Sequence, residues 1–69
     1  MGREIIAVYG LTNTASVNIY EIQHGIEDTV LAGINNQEPE ECVIQYDNEG
    51  EPFFKLGELE IPLSECMRV

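Results

Sequence analysis

The segment from residue 42 to residue 56 constrains the fold more than any other part of the chain, because it has the pattern of a β-hairpin. Apolar side chains alternate with other residues at Cys42, Ile44 and Tyr46. A polar turn follows at 47–50 and ends in glycine, and the chain then runs back as far as Leu56. Alternation on both sides of such a turn is typical of two paired antiparallel strands.

The chemistry of this turn also predicts the register of the hairpin. Asp47 and Asn48 suit the first positions of a type I turn, and Gly50 suits the residue after it, where φ is positive. Counting outward from this turn places Tyr46 opposite Pro52, Gln45 opposite Phe53, Ile44 opposite Phe54 and Cys42 opposite Leu56. A slip by one residue would place the apolar side chains on opposite faces. The turn and the burial pattern therefore favour the same register.

The segment 15–24 has two interpretations. As a strand, it would turn Val17 and Ile19 to one side and Tyr20 and Ile22 to the other, which requires a bulge near residues 19 and 20 or two covered faces. As a helix, it would carry an apolar stripe at helical spacing after a capping serine. The content of β-branched and aromatic residues favours the strand.

The rest of the chain predicts further short elements. We expect strands at 4–9, 29–34, 59–63 and 67–69, a polar surface loop at 35–40, and one short helical turn at 62–66. Within the strand at 29–34, Gly33 indicates a bulge or a close approach of another backbone. Five or six short strands with a single helical turn before the last predict a mainly β fold, a small barrel.

This layout resembles the SH3-like kind of small barrel, which also has a one-turn helix before its last strand. The alternative is an α+β fold with one helix at 15–24. Either way, 69 residues make one domain, 1–69. An apolar content of 43% is enough for a globular core and argues against disorder.

Length and hydropathy also predict whether the chain associates with itself, crosses a membrane or is secreted. A chain of this size buries only roughly 60% of the surface that its unfolded form exposes, so association as a homodimer would add stability. No apolar run approaches the ~18 residues of a membrane span. The first residues lack the long apolar region of a signal peptide. We therefore expect a cytoplasmic protein.

The charge of the chain is unusual. Thirteen acidic residues face three basic ones, for a net charge of −10, and no lysine or arginine occurs between Arg3 and Lys55. Because nucleic-acid binding depends on basic side chains that neutralise phosphates, we expect no direct nucleic-acid binding. An anionic membrane would also repel the chain. The acidity serves solubility through self-repulsion, or it serves recognition of a basic protein.

The sequence offers no constellation that predicts catalysis, a cofactor or a metal. Cys42 and Cys66 with the single His24 cannot complete a Cys/His zinc site, and we expect Cys42 to be a buried free thiol. The oxygen-rich stretch 47–51 does not have the spacing of a calcium loop. No phosphate-binding glycine motif occurs. We therefore predict that the protein is not an enzyme, with no catalytic, cofactor-binding or metal-ligating residues.

The remaining hypotheses are both interaction functions. The first is a non-enzymatic protein-interaction or accessory module, acting through an exposed strand edge near 52–56 and whichever of Tyr9, Tyr20, Phe53 and Met67 are exposed. The alternative is an acidic inhibitor or nucleic-acid mimic that binds a basic protein surface, to which Glu58 and Glu60 would also contribute. The candidate interaction residues are Glu38, Glu40, Glu41, Asp47, Glu49, Glu51 and Phe53.

Overall fold

A computed structural model describes residues 4–35 and 37–69, which form eight strands and one 3-10 turn. The strands are β1 Ala7–Gly10, β2 Ser16–Gln23, β3 Thr29–Ile34, β4 Glu40–Val43, β5 Gln45–Tyr46, β6 Pro52–Leu56, β7 Leu59–Pro62 and β8 Met67–Arg68. The 3-10 turn spans Leu63–Glu65. The prediction of a mainly β chain with one short helical turn before a brief last strand is confirmed.

The strands form two antiparallel sheets. Sheet A has the order β4-β3-β2-β1-β8, and sheet B has the order β5-β6-β7. The strand interpretation of residues 15–24 is confirmed, since Ser16–Gln23 pairs with β1 on one side and β3 on the other. The alternative of an α+β fold with a helix there is wrong. The β-branched side chains of β2 pack across a sheet surface, where their restricted rotamers suit the pleated backbone.

The predicted bulge in β2 is present. Ile19 lies opposite Ala32, whereas Glu21 lies opposite Leu31, so Tyr20 is the additional residue of the longer strand. The bulge shifts the alternation by one residue, and Ile22 consequently lies opposite the buried Val30. The long strand thereby presents apolar side chains to the core on both sides of the irregularity.

The predicted hairpin is correct near its turn and wrong beyond it. Gln45 pairs with Phe53 and Tyr46 with Pro52, as expected, and Gly50 has the positive φ of 82° that the turn requires. The ladder ends there, and the pairings of Ile44 with Phe54 and of Cys42 with Leu56 do not form. Residues 40–43 pair instead with β3, where Cys42 lies opposite Val30.

The hydrophobic core lies between the two sheets. Phe54 is its largest fully buried side chain. Sheet A contributes Ala7, Val17, Ile19, Val30 and Ala32, sheet B contributes Phe54, Leu56 and Ile61, and Ile44 lies where the chain passes from one sheet to the other. Each sheet turns one face to this core. The other face of sheet B is open to solvent.

Two further contacts fix the ends of the sheets. The backbone of β1 begins later than predicted, at Ala7 rather than residue 4, although the amide of Ile6 still donates to Ile19 (2.8 Å). A Cβ built on Gly33 would lie 3.1 Å from the carbonyl oxygen of Gln37 and 3.2 Å from the Cα of Pro39. The close backbone approach predicted at Gly33 is therefore confirmed.

Within the described ranges, no helix has the length and apolarity needed to cross a membrane.

Candidate interaction surface

The outward face of sheet B is built by the alternation of residues along β6. Phe54 and Leu56 point into the core and are buried, so Phe53 and Lys55 point to the opposite face. Phe53 lies between two cross-strand neighbours, Gln45 on β5 and Pro62 on β7. The centre of this solvent-facing surface is consequently an aromatic side chain.

An open concavity of about 340 Å³ surrounds Phe53. Its apolar lining consists of Tyr46, Pro52, Phe53 and Pro62, and its polar lining consists of Asp47, Asn48, Glu51 and Glu60. Tyr46 leaves 60% of its surface exposed, while the other three apolar residues are half-buried. Tyrosine, phenylalanine and proline are rigid, so they lose little conformational entropy when a ligand covers them. We call this surface the Phe53 face.

Carboxylates form the rim of the Phe53 face. Asp47 and Glu51 lie on the side of the β5–β6 turn, and Glu60 lies on β7, two residues before Pro62. The cation nearest to them along the strands is Lys55, whose Nζ is 4.0 Å from Oε2 of Glu60. Both partners of this ion pair are more than half exposed, so its contribution to stability is small. The rim therefore has a net negative charge.

Asp47 has a structural role in addition to its place on the rim. Its Oδ1 accepts hydrogen bonds from the backbone amides of Glu49 (2.8 Å) and Glu51 (2.9 Å). The backbone amide of Asp47 also donates to the carbonyl oxygen of Glu51 (3.0 Å). Side-chain bonds of this kind hold a turn in one conformation. Asp47 thus positions the backbone that carries the Glu51 carboxylate.

The structure brings together only part of the predicted interaction set. Asp47, Glu51 and Phe53 line the Phe53 face, whereas Glu49 is exposed in the turn without lining the concavity. The remaining residues, Glu38, Glu40 and Glu41, are exposed on β4 of sheet A and in the loop before it. Exposed acidic residues thus occupy both sheets.

The strand edge predicted near 52–56 is wrong. β6 is the central strand of sheet B, paired with β5 on one side and with β7 on the other. The ladder with β5 covers Pro52 and Phe53, and the ladder with β7 covers residues 53–56, so β6 lies inside the sheet and is not its edge. The outermost strands are β5 and β7 in sheet B, and β4 and β8 in sheet A. Of the apolar residues named as contacts, Met67 is exposed, and Tyr9, Tyr20 and Phe53 are half-buried.

The candidate interaction residues omitted Tyr46, Pro52 and Pro62. Tyr46 and Pro52 pair with each other one residue along from Gln45 and Phe53, so strand alternation alone would turn them away from the side of Phe53, and no sequence pattern predicted that they line the concavity. Pro62 reaches the site through the register of β7, where it lies opposite Phe53. That register depends on the turn after Leu56, in which Gly57 has a φ of 65°.

The residues considered for chemistry lie elsewhere. Both cysteines are free and half-buried, so Cys42 is less buried than predicted. Burial raises the pKa of the Cys42 thiol, with a further increase from Glu40, and burial and then Glu65 raise the pKa of Cys66. Raised values leave little thiolate near neutral pH, and the thiolate is the reactive form.

His24 is exposed, with Nδ1 3.3 Å from the Asp28 carboxylate. Across residues 4–35 and 37–69, no three His, Cys, Asp or Glu side chains are grouped so that they could hold a metal ion. Within the described residues, the Phe53 face places partly exposed aromatic side chains beside carboxylates.

No protein-family model, curated protein or solved structure matches this chain.

Proposed function

We propose that this chain is a non-enzymatic protein-interaction module that binds a basic, extended segment of a partner protein on the Phe53 face. The observation that carries the proposal is the concavity around Phe53, in which aromatic and proline side chains stand inside a rim of carboxylates. The apolar residues that line the concavity supply surface that a partner can bury, and the acidic residues supply charge that a basic partner can pair with.

The apolar part of the face accounts for affinity. Aromatic side chains are enriched among the residues that dominate binding energy, and they act best where neighbouring side chains exclude water. Phe53 is half-buried between Gln45 and Pro62, and Tyr46 stands more exposed at the end of the sheet. An extended segment lying along the concavity would cover Phe53 and would contact Tyr46 where Tyr46 lines the concavity.

The acidic part of the face accounts for the choice of partner. Complementary charge steers association and excludes partners of the wrong sign. The rim carboxylates of Asp47, Glu51 and Glu60 favour a basic segment, and the chain's net charge of −10 extends the attraction beyond the site. The same charge disfavours nucleic acids and anionic membranes as partners.

We also infer an SH3-like barrel arrangement for the two sheets. Residues 40–46 pair with β3 in sheet A and then with β6 in sheet B, so one segment joins the sheets at one side. On the other side, the 3-10 turn leads from β7 to β8, which pairs with β1. We further infer that the chain acts in the cytoplasm as an accessory module, and that a homodimer would form through the outermost strands of sheet A, β4 or β8.

The alternative function is an acidic inhibitor or nucleic-acid mimic. It is supported by the exposure of Glu38, Glu40 and Glu41 in addition to the acidic residues of the β5–β6 turn. Such a surface would extend over both sheets and would depend on charge alone. The two functions therefore differ in where the partner binds and in how strongly salt weakens binding.

A titration with a defined basic peptide tests the proposal. We would follow backbone amide chemical shifts of the protein while adding a capped peptide of alternating arginine and proline, with a peptide of alternating glutamate and proline as the control ligand. We expect the largest changes on β5, β6 and β7, and loss of binding in Phe53→Ala. Met67→Ala is the matched control, because it removes an exposed apolar side chain from sheet A.

The outcomes separate the two functions. Shifts on β4 and in the loop before it, abolished by moderate salt and unchanged in Phe53→Ala, would support the acidic mimic instead. Equal responses to the basic and acidic peptides, or no response to the basic one, would refute the Phe53 face as a site for basic segments.

A further inference from the structure

Lys55 occupies a distinctive place beside the Phe53 face. It lies two residues after Phe53 on the same outward side of β6 and directly opposite Glu60 on β7. Its Nζ is 4.0 Å from Oε2 of Glu60. Among the described residues of sheet B, it is the one lysine or arginine. The protein thus brings its own cation to a rim carboxylate.

We propose that Lys55 is an internal competitor for the binding site, and that an arginine side chain of the partner segment displaces it from Glu60. This inference rests on the proposed function and names the group that the site takes. In the bound state, the guanidinium lies over the Phe53 ring between the carboxylates of Glu51 and Glu60, and the Lys55 ammonium returns to water.

The geometry of the sheet brings the required groups together. Residues two apart on one strand are separated by about 7 Å, and diagonal neighbours on paired strands by about 7–8 Å. Glu51 stands in the first relation to Phe53, and Glu60 stands in the second. A long side chain that lies over the ring is therefore within reach of both carboxylates.

The chemistry favours arginine over lysine as the incoming group. The guanidinium is planar, so it stacks on an aromatic ring while its N–H groups bond a carboxylate in a forked geometry. Lys55 offers Glu60 a single point charge on a flexible stem, at the outer limit of ion-pair distance. The exchange replaces a weak contact by one that also uses the aromatic ring.

The exposure of the internal pair makes the exchange feasible. The side chain of Lys55 is 53% exposed and that of Glu60 is 66% exposed, so both groups are already largely hydrated. Separating such a pair costs little. Lys55 consequently reduces affinity for weak cations without closing the site to a well-matched arginine.

Two charge-matched variants test the inference. Lys55→Gln and Arg68→Gln each remove one positive charge, which takes the net charge from −10 to −11, but Arg68 lies on β8 of sheet A. With the arginine–proline peptide, we expect calorimetry to show binding about two- to five-fold tighter in Lys55→Gln. We expect Arg68→Gln to bind with nearly the affinity of the parent protein. Unchanged melting temperatures would verify that both variants are folded.

A second readout follows the displaced group directly. The side-chain signals of Lys55 should change when the peptide binds the parent protein, and a lysine–proline peptide should produce weaker binding and a smaller change. Equal effects of Lys55→Gln and Arg68→Gln would show a general charge effect and overturn the inference. Weaker binding in Lys55→Gln would make Lys55 part of the site and also overturn it.

The same titrations distinguish this inference from the proposal on which it rests. If Phe53→Ala abolishes binding while the two charge variants behave alike, the Phe53 face is the binding site and Lys55 is not a competitor. If Phe53→Ala binds the peptide as tightly as the parent protein, the proposed function fails, and the displacement of Lys55 fails with it.

Discussion

The backbone amide of Ile44 donates to the carbonyl oxygen of Asp28 at 2.9 Å. Ile44 lies in the middle of the apparent hairpin arm, and this bond directs its backbone towards sheet A instead of β6. The residues before it pair with β3 and the residues after it pair with β6. One short segment therefore connects the two sheets, and the position of the Phe53 face depends on this connection.

The first prediction concerns the core that this connection encloses. Phe54 is completely buried, and we expect Phe54→Ala to lower the free energy of unfolding by about 3–5 kcal/mol. A core of this size rarely supplies more than about 3–5 kcal/mol in total. The variant should therefore be largely unfolded at room temperature even without urea, and a urea titration should show no folded baseline.

Phe53→Ala is the matched control for this change. It removes the same side chain from the adjacent position, but on the half-buried outward face. Its cost in stability should be clearly smaller, while its cost in peptide binding should be large. Equal destabilisation by the two variants would contradict the assignment of Phe54 to the core and Phe53 to the surface.

Much of this fold could be predicted because the local patterns agree with the tertiary structure. The turn at 47–50, the bulge after Ile19 and the 3-10 turn near the C-terminus all follow from residue types at fixed spacings. The predicted pairing of Ile44 with Phe54 is wrong for a physical reason. Alternation shows which residues face the core, but both neighbouring strands satisfy that pattern, so it does not determine which one a segment pairs with.

A polar cluster at the end of β2 and β3 illustrates the same limit. Asn18 is buried, and its side-chain amide donates to the carbonyl oxygen of Asn35 (2.7 Å). Asn35 adopts a φ of 53°, and its Oδ1 accepts from the amide of Ser16 (3.0 Å). These bonds join residues that are distant in sequence. No local pattern distinguishes such an asparagine from one in a solvated loop.

The second prediction tests the turn. Gly50 has a φ of 82°, and no atom beyond its two chain neighbours lies within 4 Å of a Cβ built on it. The expected cost of Gly50→Val therefore comes from the backbone alone, about 1–2 kcal/mol. Gly10→Val is the control, because its surroundings are equally open and its φ is not in the left-handed region. Thermal denaturation should show a lower melting temperature for Gly50→Val only.

The third prediction tests the contact between β3 and the loop that follows it. Gly33→Ala would place a Cβ 3.1 Å from the Gln37 carbonyl oxygen and 3.2 Å from the Cα of Pro39. Since both neighbours are backbone atoms, the loop must move, at a cost of about 1–3 kcal/mol. Gly25→Ala meets its nearest atom at an ordinary 3.7 Å and should be tolerated. Equal urea midpoints for the two variants would contradict the packing of this loop on β3.

The fourth prediction concerns the Asp47 side chain, which accepts from the amides of Glu49 and Glu51. Asp47→Ala removes both bonds and should lower stability by about 0.5–2 kcal/mol, the range found when side chains that cap backbone amides are lost. Asp47→Asn retains the Oδ1 acceptor and should recover most of the loss. If alanine and asparagine give the same melting temperature, the hydrogen bonds of Asp47 do not stabilise the turn.

The last prediction is a pH dependence that comes from the thiols. Burial is the main cause that raises the pKa of both Cys42 and Cys66 in the folded protein, with smaller contributions from Glu40 and Glu65. In the unfolded chain, the thiols lose their protons at a lower pH. The stability linked to them is therefore fully present below the unfolded pKa and is lost as the pH rises through the folded value.

A variant that replaces both cysteines with serine should lack this component. We would measure the free energy of unfolding by urea titration from about pH 7 to about pH 10, the range that includes thiol ionisation. We expect the parent protein to lose stability more steeply than the variant above the ordinary thiol pKa, because the variant has no thiol to ionise. Parallel curves would mean that the thiols are as accessible to water in the folded protein as in the unfolded chain. That result would contradict the half-buried positions of Cys42 on β4 and Cys66 beside the 3-10 turn.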